Sequence, residues 1–279
     1  MKLLVTGGSG YVGAAILRRA PANWQIAATY LAHPIQQPHA AFFCVDIRDA
    51  HTIAKLFADF QPDVVIHTAA LMFGDEMVTT NVDGSRNVAR AATQHHTRFI
   101  HLSSDVIFDG EHAPYAETDS PAPITPYGKS KARAEQVVRD EFANPVIVRT
   151  SLVYGFDPID PRTRLVLSGE MPQLFTDEYR CPIFVDDLAD ALIELAQNDF
   201  VGGLNVAGPQ RLSRYEFGLK LAQALGAEIR FQSAVSASSP SPRPRDCTLD
   251  ISRAQKILQT RLRSIDEVLA GAFVRARHS

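Results

Sequence analysis

The chain has 279 residues, and 46% of them are apolar, which is enough to bury the core of one large α/β domain with a small appendage. Its 28 lysines and arginines against 31 aspartates and glutamates give a formal net charge of −3, so no excess of positive charge is available to neutralise the phosphates of a nucleic acid. This composition excludes extended disorder and argues against a nucleic-acid partner.

Short apolar runs alternate with longer helical patterns through the first half of the chain. Strands are predicted at residues 2–6, 25–31, 41–45, 63–67, 97–102 and 145–149. Helices are predicted at residues 11–19, 49–59, 76–95 and 127–142. This alternation predicts an α/β fold with a doubly wound parallel sheet, of the Rossmann-like kind.

The alternation loosens after residue 150. Residues 156–164 are predicted to be a loop, and residues 236–244 form a Ser/Pro-rich stretch. Helical patterns return at residues 186–197 and 213–225, and a strand is predicted at residues 204–207. We expect residues 1–150 to form the first domain, which also receives the helix 186–197 and the strand 204–207, and residues 151–279 to form mainly a small C-terminal lobe.

Neither a membrane span nor a secretory signal is predicted. The longest stretch without a formal charge, residues 20–45, is interrupted by prolines, asparagine and glutamines that a bilayer core tolerates poorly. The amino terminus lacks an apolar segment followed by a small-residue cleavage site. Three widely spaced cysteines predict neither a disulfide framework nor a paired-thiol metal site. We therefore expect a cytoplasmic protein that makes no membrane contact.

A glycine-rich segment follows the first predicted strand directly. Residues 6–13 read TGGSGYVG, which contains both G-x-G-x-x-G and G-x-x-G-x-x-G. Glycines let the chain turn sharply and let backbone N–H groups approach a pyrophosphate, while the following helix presents its positive N-terminus. Strand, glycine loop and helix in this order predict a dinucleotide site, with contacts from Gly7, Gly10, Tyr11, Val12 and Gly13.

The second predicted strand ends without the acidic residue that commonly binds the adenosine ribose of NAD. It ends in Tyr30-Leu31-Ala32-His33, and the first acidic residue of the chain is Asp46, after the third strand. No carboxylate is therefore present at this strand end to repel a 2′-phosphate, and His33 is able to donate to one. The sequence predicts NADP as the preferred cofactor, with NAD possible, and contacts from Tyr30 and His33.

A Tyr-x-x-x-Lys spacing lies at the start of the fourth predicted helix. Tyr127 and Lys131 are four residues apart and share one helix face. An ammonium beside a phenol lowers the phenol pKa from about 10, which lets the phenol exchange a proton with a carbonyl near neutral pH. The strand 97–102 is followed by Ser103 and Ser104, at the sheet edge where ligands collect. Ser104, Tyr127 and Lys131 are the predicted catalytic residues.

Arginines of the second half are candidates for an anionic substrate group. Arg162, Arg164, Arg243 and Arg245 lie on predicted loops. Guanidinium groups bind a diphosphate in bidentate geometry, although arginines beside prolines are equally well explained as solvated loop charges. His67, at a strand end, is expected to be a hydrogen-bonded structural residue. No spacing of His, Cys, Asp or Glu predicts a metal site.

Further segments match one family pattern over nearly the whole chain. Besides residues 6–13, they are DIRD at 46–49, HTAA at 67–70, NVDGSRNV at 81–88, SSDVIFDG at 103–110, YGKSK at 127–131, RTSLVYG at 149–155, FVDDL at 184–188 and RPRD at 243–246. On these segments the chain resembles an extended short-chain dehydrogenase/reductase, and most closely the dTDP-4-dehydrorhamnose reductases. The resemblance implies an oxidoreductase that reduces a keto-sugar, with Tyr127 giving the proton.

The residues above and the resemblance together predict two sets of contacts. Cofactor contacts are expected from Gly7, Gly10, Tyr11, Val12, Gly13, Tyr30, His33, Asp46, Ile47, Ala69, Ala70, Asn81, Ser103, Tyr127 and Lys131. Substrate contacts are expected from Ser104, Asp105, Arg162, Arg243 and Arg245. Within the cofactor set, Asp46 and Ile47 flank the adenine, Ala69 and Ala70 line the cofactor channel, and Asn81 supports the active-site helix. Residues 1–150 then bind the dinucleotide and residues 151–279 a nucleotide-linked sugar, in a monomer or a homodimer.

Two departures from the reductase pattern concern the substrate. Leu152 stands where that group usually has a tryptophan that packs on the sugar, and residues 71–80 are shorter and lack a Val-Asp-x-x-Glu stretch.

An epimerase, which recycles tightly held NAD, is an alternative function that the absence of an acidic residue at the end of the second strand argues against. A sugar 4,6-dehydratase would carry an Asp-Glu pair where this chain has Asp105 and Val106. A further alternative is a non-catalytic cofactor-binding subunit resembling the regulatory subunit of methionine adenosyltransferase.

Overall fold

Strands and helices alternate through most of the chain in a computed structural model, which describes residues 1–35 and 37–276. The strands are β1 (Lys2–Thr6), β2 (Gln25–Tyr30), β3 (Ala40–Cys44), β4 (Val64–His67), β5 (Arg98–Ser104), β6 (Val146–Thr150), β7 (Val153–Tyr154), β8 (Gln173–Phe175), β9 (Tyr179–Arg180), β10 (Ile183–Phe184), β11 (Gly202–Asn205), β12 (Leu212–Ser213) and β13 (Gln232–Ala234). The helices are α1 (Tyr11–Arg19), α2 (Ala50–Phe60), α3 (Ser85–Gln94), α4 (Pro126–Glu141), α5 (Pro161–Ser168), α6 (Val185–Gln197), α7 (Arg214–Ala224), α8 (Ser252–Ile257) and α9 (Ile265–Ala276).

Seven strands form one parallel sheet in the order β11-β6-β5-β4-β1-β2-β3. The chain leaves β1 toward β2 on one side and later returns to β4 on the other side. In a doubly wound sheet, ligands bind outside the carboxyl ends of the strands at such a reversal of strand order. The sheet topology therefore directs attention to the residues that follow β1 and β4.

Helices cover both faces of this sheet. Leu3 and Val5 of β1 pack with apolar residues of α1 and α6, whereas Leu4 packs on the opposite face with residues of α2, α3 and α4. Successive strand residues point to opposite faces, so a strand that is covered on both sides is apolar throughout. The predicted Rossmann-like α/β class is confirmed.

The predicted helix at residues 76–95 includes a wider turn that the sequence pattern does not distinguish. Thr79–Gly84 form a π-helix directly before α3. Gly84 lies against the Ile47 side chain, and a Cβ at Gly84 would lie 2.5 Å from Ile47 Cδ1. Single turns of π-helix are rare and are frequent at functional sites. This turn contains Asn81, one of the predicted site residues.

The prediction of a loop at residues 156–164 is wrong for residues 161–164, because α5 begins at Pro161. The Asp160 carboxylate accepts the Thr163 N–H as an N-cap, and Pro161 occupies the first turn. Gly169 ends the helix in the left-handed conformation, with φ at +84°. These end signals are local, but the helix between them is too short and too weakly amphipathic for a periodic pattern to stand out.

The second half of the chain contributes to the central sheet and also forms a separate lobe. β11 pairs with β6 in parallel, two residues earlier than the predicted strand at 204–207, and α6 packs against α1. Short strand pairs β8/β13 and β9/β12 pack with α5 and α7 in the lobe. The functional division into dinucleotide and substrate regions stays a prediction.

None of the helices in the described residues combines the length and the apolar character that crossing a membrane requires. The cytoplasmic location stays a prediction.

Candidate active site

The glycine loop after β1 forms a close-packed turn beside the end of β4. Gly7 has φ at +73°, and a Cβ on it would lie 2.7 Å from Ala69 Cα. A Cβ on Gly13 would collide with the Gly7 carbonyl oxygen. Helix α1 starts at Gly10 without a side-chain cap and without an acidic residue in its first turn. Its first N–H groups are therefore available to an anion, and the loop fits the pyrophosphate of a dinucleotide.

Tyr11 and Val12 occupy the first turn of α1, but their side chains point away from the glycine loop. The Tyr11 hydroxyl donates to the Pro158 carbonyl at 3.0 Å, and its ring lies over Gly155. Val12 packs against the core cluster on the α1 face of the sheet. Any contact of these two residues with a phosphate would therefore come from their backbone N–H groups.

The end of β2 and the segment after β3 lie at the predicted adenosine end. Tyr30 is half-buried and His33 is exposed. The Arg48 guanidinium donates to both carboxylate oxygens of Asp46, and this hydrogen bonding holds the pKa of Asp46 below its usual value. Ile47 is buried in the core against Gly84, so only its backbone can face a ligand. Asp46 is a paired carboxylate here, and Arg48 also pairs with Glu76 at 2.5 Å.

Thr68 holds the ends of β1 and β4 together at the point where the strand order reverses. Its hydroxyl donates to the Thr6 carbonyl at 2.8 Å. Ala69 follows and contacts Gly7, and Ala70 is exposed. The role of Ala69 and Ala70 in lining a cofactor channel stays a prediction.

His67 is a hydrogen-bonded structural residue, as predicted. Its Nδ1 lies 2.6 Å from the Thr6 hydroxyl and its Nε2 lies 2.9 Å from the Ser85 hydroxyl. Burial lowers the pKa of His67 to about 3, so the ring is neutral at physiological pH. The network joins β1, β4 and the start of α3 beneath the candidate site.

Asn81 links the segment after β4 to the active-site helix. Its side-chain amide accepts from the Leu71 N–H and donates to the Leu71 carbonyl, both at 2.8 Å. The same amide nitrogen donates to the Ser130 hydroxyl at 2.9 Å, and Ser130 donates to the Tyr127 carbonyl. Asn81 is fully buried. These bonds join the segment after β4 to α4, and both the supporting role and the cofactor contact of Asn81 stay predictions.

Replacing Asn81 with alanine is expected to destabilise the fold by about 1–3 kcal/mol, because the change removes three hydrogen bonds of a fully buried amide to Leu71 and Ser130. Urea unfolding measures this free energy directly. Asn23→Ala, at an exposed position, is the matched control and should change it by less than about 0.5 kcal/mol. Equal stability of the Asn81 and Asn23 variants would contradict the positioning role.

Lys131 lies on the buried side of α4 and faces β5. The helix begins with the Thr125 hydroxyl as N-cap and Pro126 in its first turn. The Lys131 side chain is buried, with 3% of its surface exposed, and its ammonium donates to the Leu102 carbonyl at 2.7 Å. Burial lowers the pKa of Lys131 to about 8, and the nearby Glu135 carboxylate opposes this shift. The ammonium is thus a titratable group near physiological pH.

Tyr127 has its pKa shifted in the direction opposite to the prediction. Burial first, and then the Asp105 carboxylate, raise the pKa of Tyr127 to about 12, while Arg162 opposes this shift. The expectation that Lys131 lowers this pKa is wrong in this structure, because the Lys131 ammonium is directed to the Leu102 carbonyl. The phenol is therefore protonated at physiological pH, the state that a proton donor requires.

Ser103 and Ser104 are the last residues of β5, and Asp105 follows them directly. Ser104 is half-buried, and its hydroxyl donates to Asp105 Oδ1 at 3.2 Å. Asp105 is only 3% exposed; it accepts from the Ser151 hydroxyl at 2.6 Å and lies 3.6 Å from Arg180 Nε. Burial raises the pKa of Asp105. This geometry favours a role in positioning Ser104, and the direct substrate contact of Asp105 stays a prediction.

Ser103 points into the protein on the other side of β5 from Ser104. Its side chain is buried, and its hydroxyl lies near the Glu135 carboxylate of α4, whose pKa it helps to lower. A cofactor contact of Ser103 would therefore come from its backbone.

Four arginines of the second lobe gather around the buried Glu178, and we call them the arginine cluster: Arg162, Arg180, Arg214 and Arg243. Only Arg162 and Arg243 were predicted as substrate contacts. The other two lie on β9 and at the start of α7, in segments whose sequence carries no binding motif. Arg245 is exposed and pairs with Glu111 at 2.8 Å instead of joining the cluster, so it lacks the surroundings that the prediction assumed. Arg164 is also exposed.

These features meet at one edge of the sheet and define a class of protein. The glycine loop follows β1, Ala69 and Ala70 follow β4, Ser104 ends β5, and α4 brings Tyr127 and Lys131 beside it. This is a doubly wound α/β fold whose phosphate-type glycine loop adjoins a Tyr/Lys helix.

The chain belongs to the family described as RmlD substrate binding domain, whose model matches residues 1–277. The predicted resemblance to the extended reductases is thereby confirmed.

Three similar proteins illustrate the range of this family. A probable low-salt glycan biosynthesis reductase, Agl14, from Haloferax volcanii is 31% identical, over 97% of this chain and 96% of that protein. Methionine adenosyltransferase 2 subunit beta from Pongo abelii is 26% identical, over 92% of this chain and 82% of that protein. The crystal structure of a hypothetical dTDP-4-dehydrorhamnose reductase from Sulfolobus tokodaii is 29% identical, with a TM-score of 0.83, and covers 97% of this chain and 99% of that one.

Proposed function

We propose that the protein is an NAD(P)H-dependent reductase of a nucleotide-linked keto-sugar. The observation that carries this proposal is the position of Tyr127 and Lys131 on α4, which packs against β5 near its Ser104 end. A carbonyl that accepts a hydride must also receive a proton, and a neutral phenol supplies one. The family and the two similar reductases support the same reaction class.

The dinucleotide site would be formed by the glycine loop and the segments next to it. Backbone N–H groups at the start of α1 would bind the pyrophosphate, Tyr30 and His33 would face the adenosine ribose, and Ala69 and Ala70 would border the channel. When bound there, NADPH supplies the hydride. Lys131 would hold the nicotinamide ribose, the role that the resemblance implies, while its ammonium stays anchored near Leu102.

NADPH is expected to bind at least as tightly as NADH. The β2 end carries no carboxylate that would repel a 2′-phosphate. His33→Ala should weaken NADPH binding by about 2- to 5-fold, the size of one exposed polar contact, and leave NADH binding unchanged. Fluorescence titration at constant ionic strength measures both affinities, with His39→Ala as the control because His39 is exposed on the same connection. A clear preference for NADH would contradict this prediction.

The substrate would lie between β5 and the second lobe. Ser104 would donate a hydrogen bond to the sugar carbonyl oxygen, and Tyr127 would transfer its proton to that oxygen as it gains charge. Arg162 and Arg243 would bind the diphosphate that links sugar and nucleoside. Residues 1–150 would thus bind the dinucleotide, and residues 151–279 mainly the substrate.

The direct test is oxidation of NADPH, followed by absorbance, with a panel of nucleotide-linked keto-sugars that includes dTDP-4-dehydrorhamnose. We expect turnover that requires the keto-sugar and yields the corresponding alcohol, identified by mass spectrometry. Binding of NADPH without turnover on any member of the panel would argue against the proposal. An observed exchange of sugar stereochemistry without net NADPH consumption would indicate the epimerase alternative instead.

A second candidate function rests on the likeness to methionine adenosyltransferase 2 subunit beta. In that case the chain would bind a cofactor and act through a partner protein. Co-purification of a catalytic methionine adenosyltransferase subunit, together with absent keto-sugar reduction, would favour this function. A monomer or homodimer with turnover would favour the reductase.

A further inference from the structure

Glu135 lies one helical turn after Lys131, on the side of α4 that packs against β5. Both side chains are buried, Glu135 with 0% and Lys131 with 3% of its surface exposed. Residues four apart on a helix are neighbours, so the carboxylate and the ammonium lie close together away from water. Transfer of two charges out of water costs free energy, and their burial side by side therefore needs a reason.

Arginines hold the Glu135 carboxylate in one place. Arg149 of β6 donates through Nε to Oε1 at 3.1 Å and through Nη2 to Oε2 at 3.0 Å. Arg149 is itself buried and also donates to the Glu117 carbonyl, and Arg139 adds a second donor to Oε2. Burial opposes ionisation of Glu135, but hydrogen bonding to Arg149 holds its pKa below its usual value. Glu135 is therefore a fixed negative charge at physiological pH.

Among the described residues, Glu135 supplies the negative charge that acts on the Lys131 ammonium. The other titratable groups that face Lys131 are His67 of β4 and His101 of β5, whose rings lie 5.3 Å apart. Burial and then the charge of Lys131 lower the pKa of both imidazoles, so both are neutral at physiological pH. The Leu102 carbonyl accepts from the ammonium but has only a partial negative charge. Glu135 is thus the group that opposes the effect of burial on Lys131.

We propose that Glu135 is a positioning residue, whose carboxylate keeps Lys131 in its ammonium form and directed at the Leu102 carbonyl. Arg149 holds that carboxylate, so the contacts run from β6 through Glu135 to Lys131. Without Glu135, burial would favour the neutral amine at physiological pH, and the site would lose its cation. The action of this cation on the cofactor rests on the proposed function, whereas the control of its charge by Glu135 does not.

NMR titration of the protein with isotope-labelled lysine measures the charge of Lys131 directly, without cofactor or substrate. The chain has six lysines, and Lys131→Met identifies the Lys131 resonance by its loss. In the wild-type protein this resonance should titrate near pH 8. In Glu135→Gln the midpoint should fall by about one pH unit or more, the effect of removing a neighbouring opposite charge. An unchanged midpoint in a folded Glu135→Gln protein would overturn the proposal.

Further variants separate the charge of Glu135 from its packing. Glu135→Asp keeps the carboxylate, so its Lys131 midpoint should stay closer to the wild-type value; a shift as large as in Glu135→Gln would contradict the proposal. Asp140→Asn removes an exposed carboxylate from the same helix and should leave the midpoint unchanged. If Glu135→Gln fails to fold because Arg149 loses its partner, combining it with Arg149→Met removes the buried guanidinium as well. The midpoint should again fall, and a wild-type value there would equally overturn the proposal.

NADPH affinity between pH 7 and 10 connects this inference to the proposed function. In Glu135→Gln the affinity should begin to fall about one pH unit lower than in the wild-type protein. If the Lys131 midpoint shifts but the wild-type protein reduces no keto-sugar, the positioning role of Glu135 stands and the reductase proposal fails. If the wild-type protein is a reductase and the midpoint does not shift, the reductase proposal stands and the positioning role fails.

Discussion

Tyr127→Phe is expected to lower kcat by about 10²- to 10⁴-fold, the range typical of lost general acid–base catalysis. The substitution removes the phenol hydroxyl and keeps the ring, which is half-buried at the start of α4. Cofactor affinity should change little, because the pyrophosphate contacts lie at the glycine loop. Steady-state kinetics with NADPH and a keto-sugar, together with NADPH titration, measure the two effects separately.

Tyr215→Phe is the matched control for Tyr127→Phe. Tyr215 is half-buried on α7 and packs against Phe231, away from β5. Its variant should retain wild-type turnover. Full turnover by Tyr127→Phe would show that another group donates the proton. Because the pKa of Tyr127 is raised to about 12, titration of the phenol should not change the rate between pH 5 and 9.

Lys131→Met is expected to lower both kcat and cofactor affinity, in contrast to Tyr127→Phe. Methionine keeps most of the aliphatic length but deletes the ammonium, so packing on the α4 face should survive. We expect NADPH affinity to fall by about 10-fold, and kcat to fall because the nicotinamide ribose is no longer held in place. Lys129→Met, an exposed position on the same helix, is the control and should change neither.

The lowered pKa of Lys131 also gives this prediction a pH dependence. The ammonium loses its proton as pH rises through about 8, so wild-type cofactor affinity and kcat should fall above that pH. Lys131→Met should lose this dependence. If a folded Lys131→Met shows wild-type NADPH affinity and an unshifted pH–rate profile, Lys131 has no role beyond packing.

The free energy of unfolding should also depend on pH through the titration of Lys131. Because the folded-state pKa of Lys131 is below its unfolded value, its burial penalty is largest below about pH 8, where both states are protonated. The penalty declines as pH rises from about 8 toward the unfolded pKa of about 10.4. The stability of the wild-type protein relative to Lys131→Met should therefore increase over this range, as measured by urea unfolding at several pH values.

The sequence alone determined the elements whose signals are local. β1 and α1 have the predicted bounds, 2–6 and 11–19, because an apolar run, a glycine turn and an amphipathic helix follow one another without interruption. The Tyr127 and Lys131 spacing on α4 is local in the same way. Short strands such as β9 and β12 were not predicted, because a two-residue strand exists only through its pairing with a distant segment.

The electrostatics of the site were decided only by the tertiary structure. The sequence places Lys131 one turn from Tyr127 and so predicts a lowered phenol pKa, but burial and Asp105 on the neighbouring strand end raise it. Likewise, the arginine cluster comes from four separate elements, and no spacing along the chain distinguishes buried Arg214 from exposed Arg245. Desolvation and the nearest charge depend on which segments pack together, and that information is absent from any local pattern of residues.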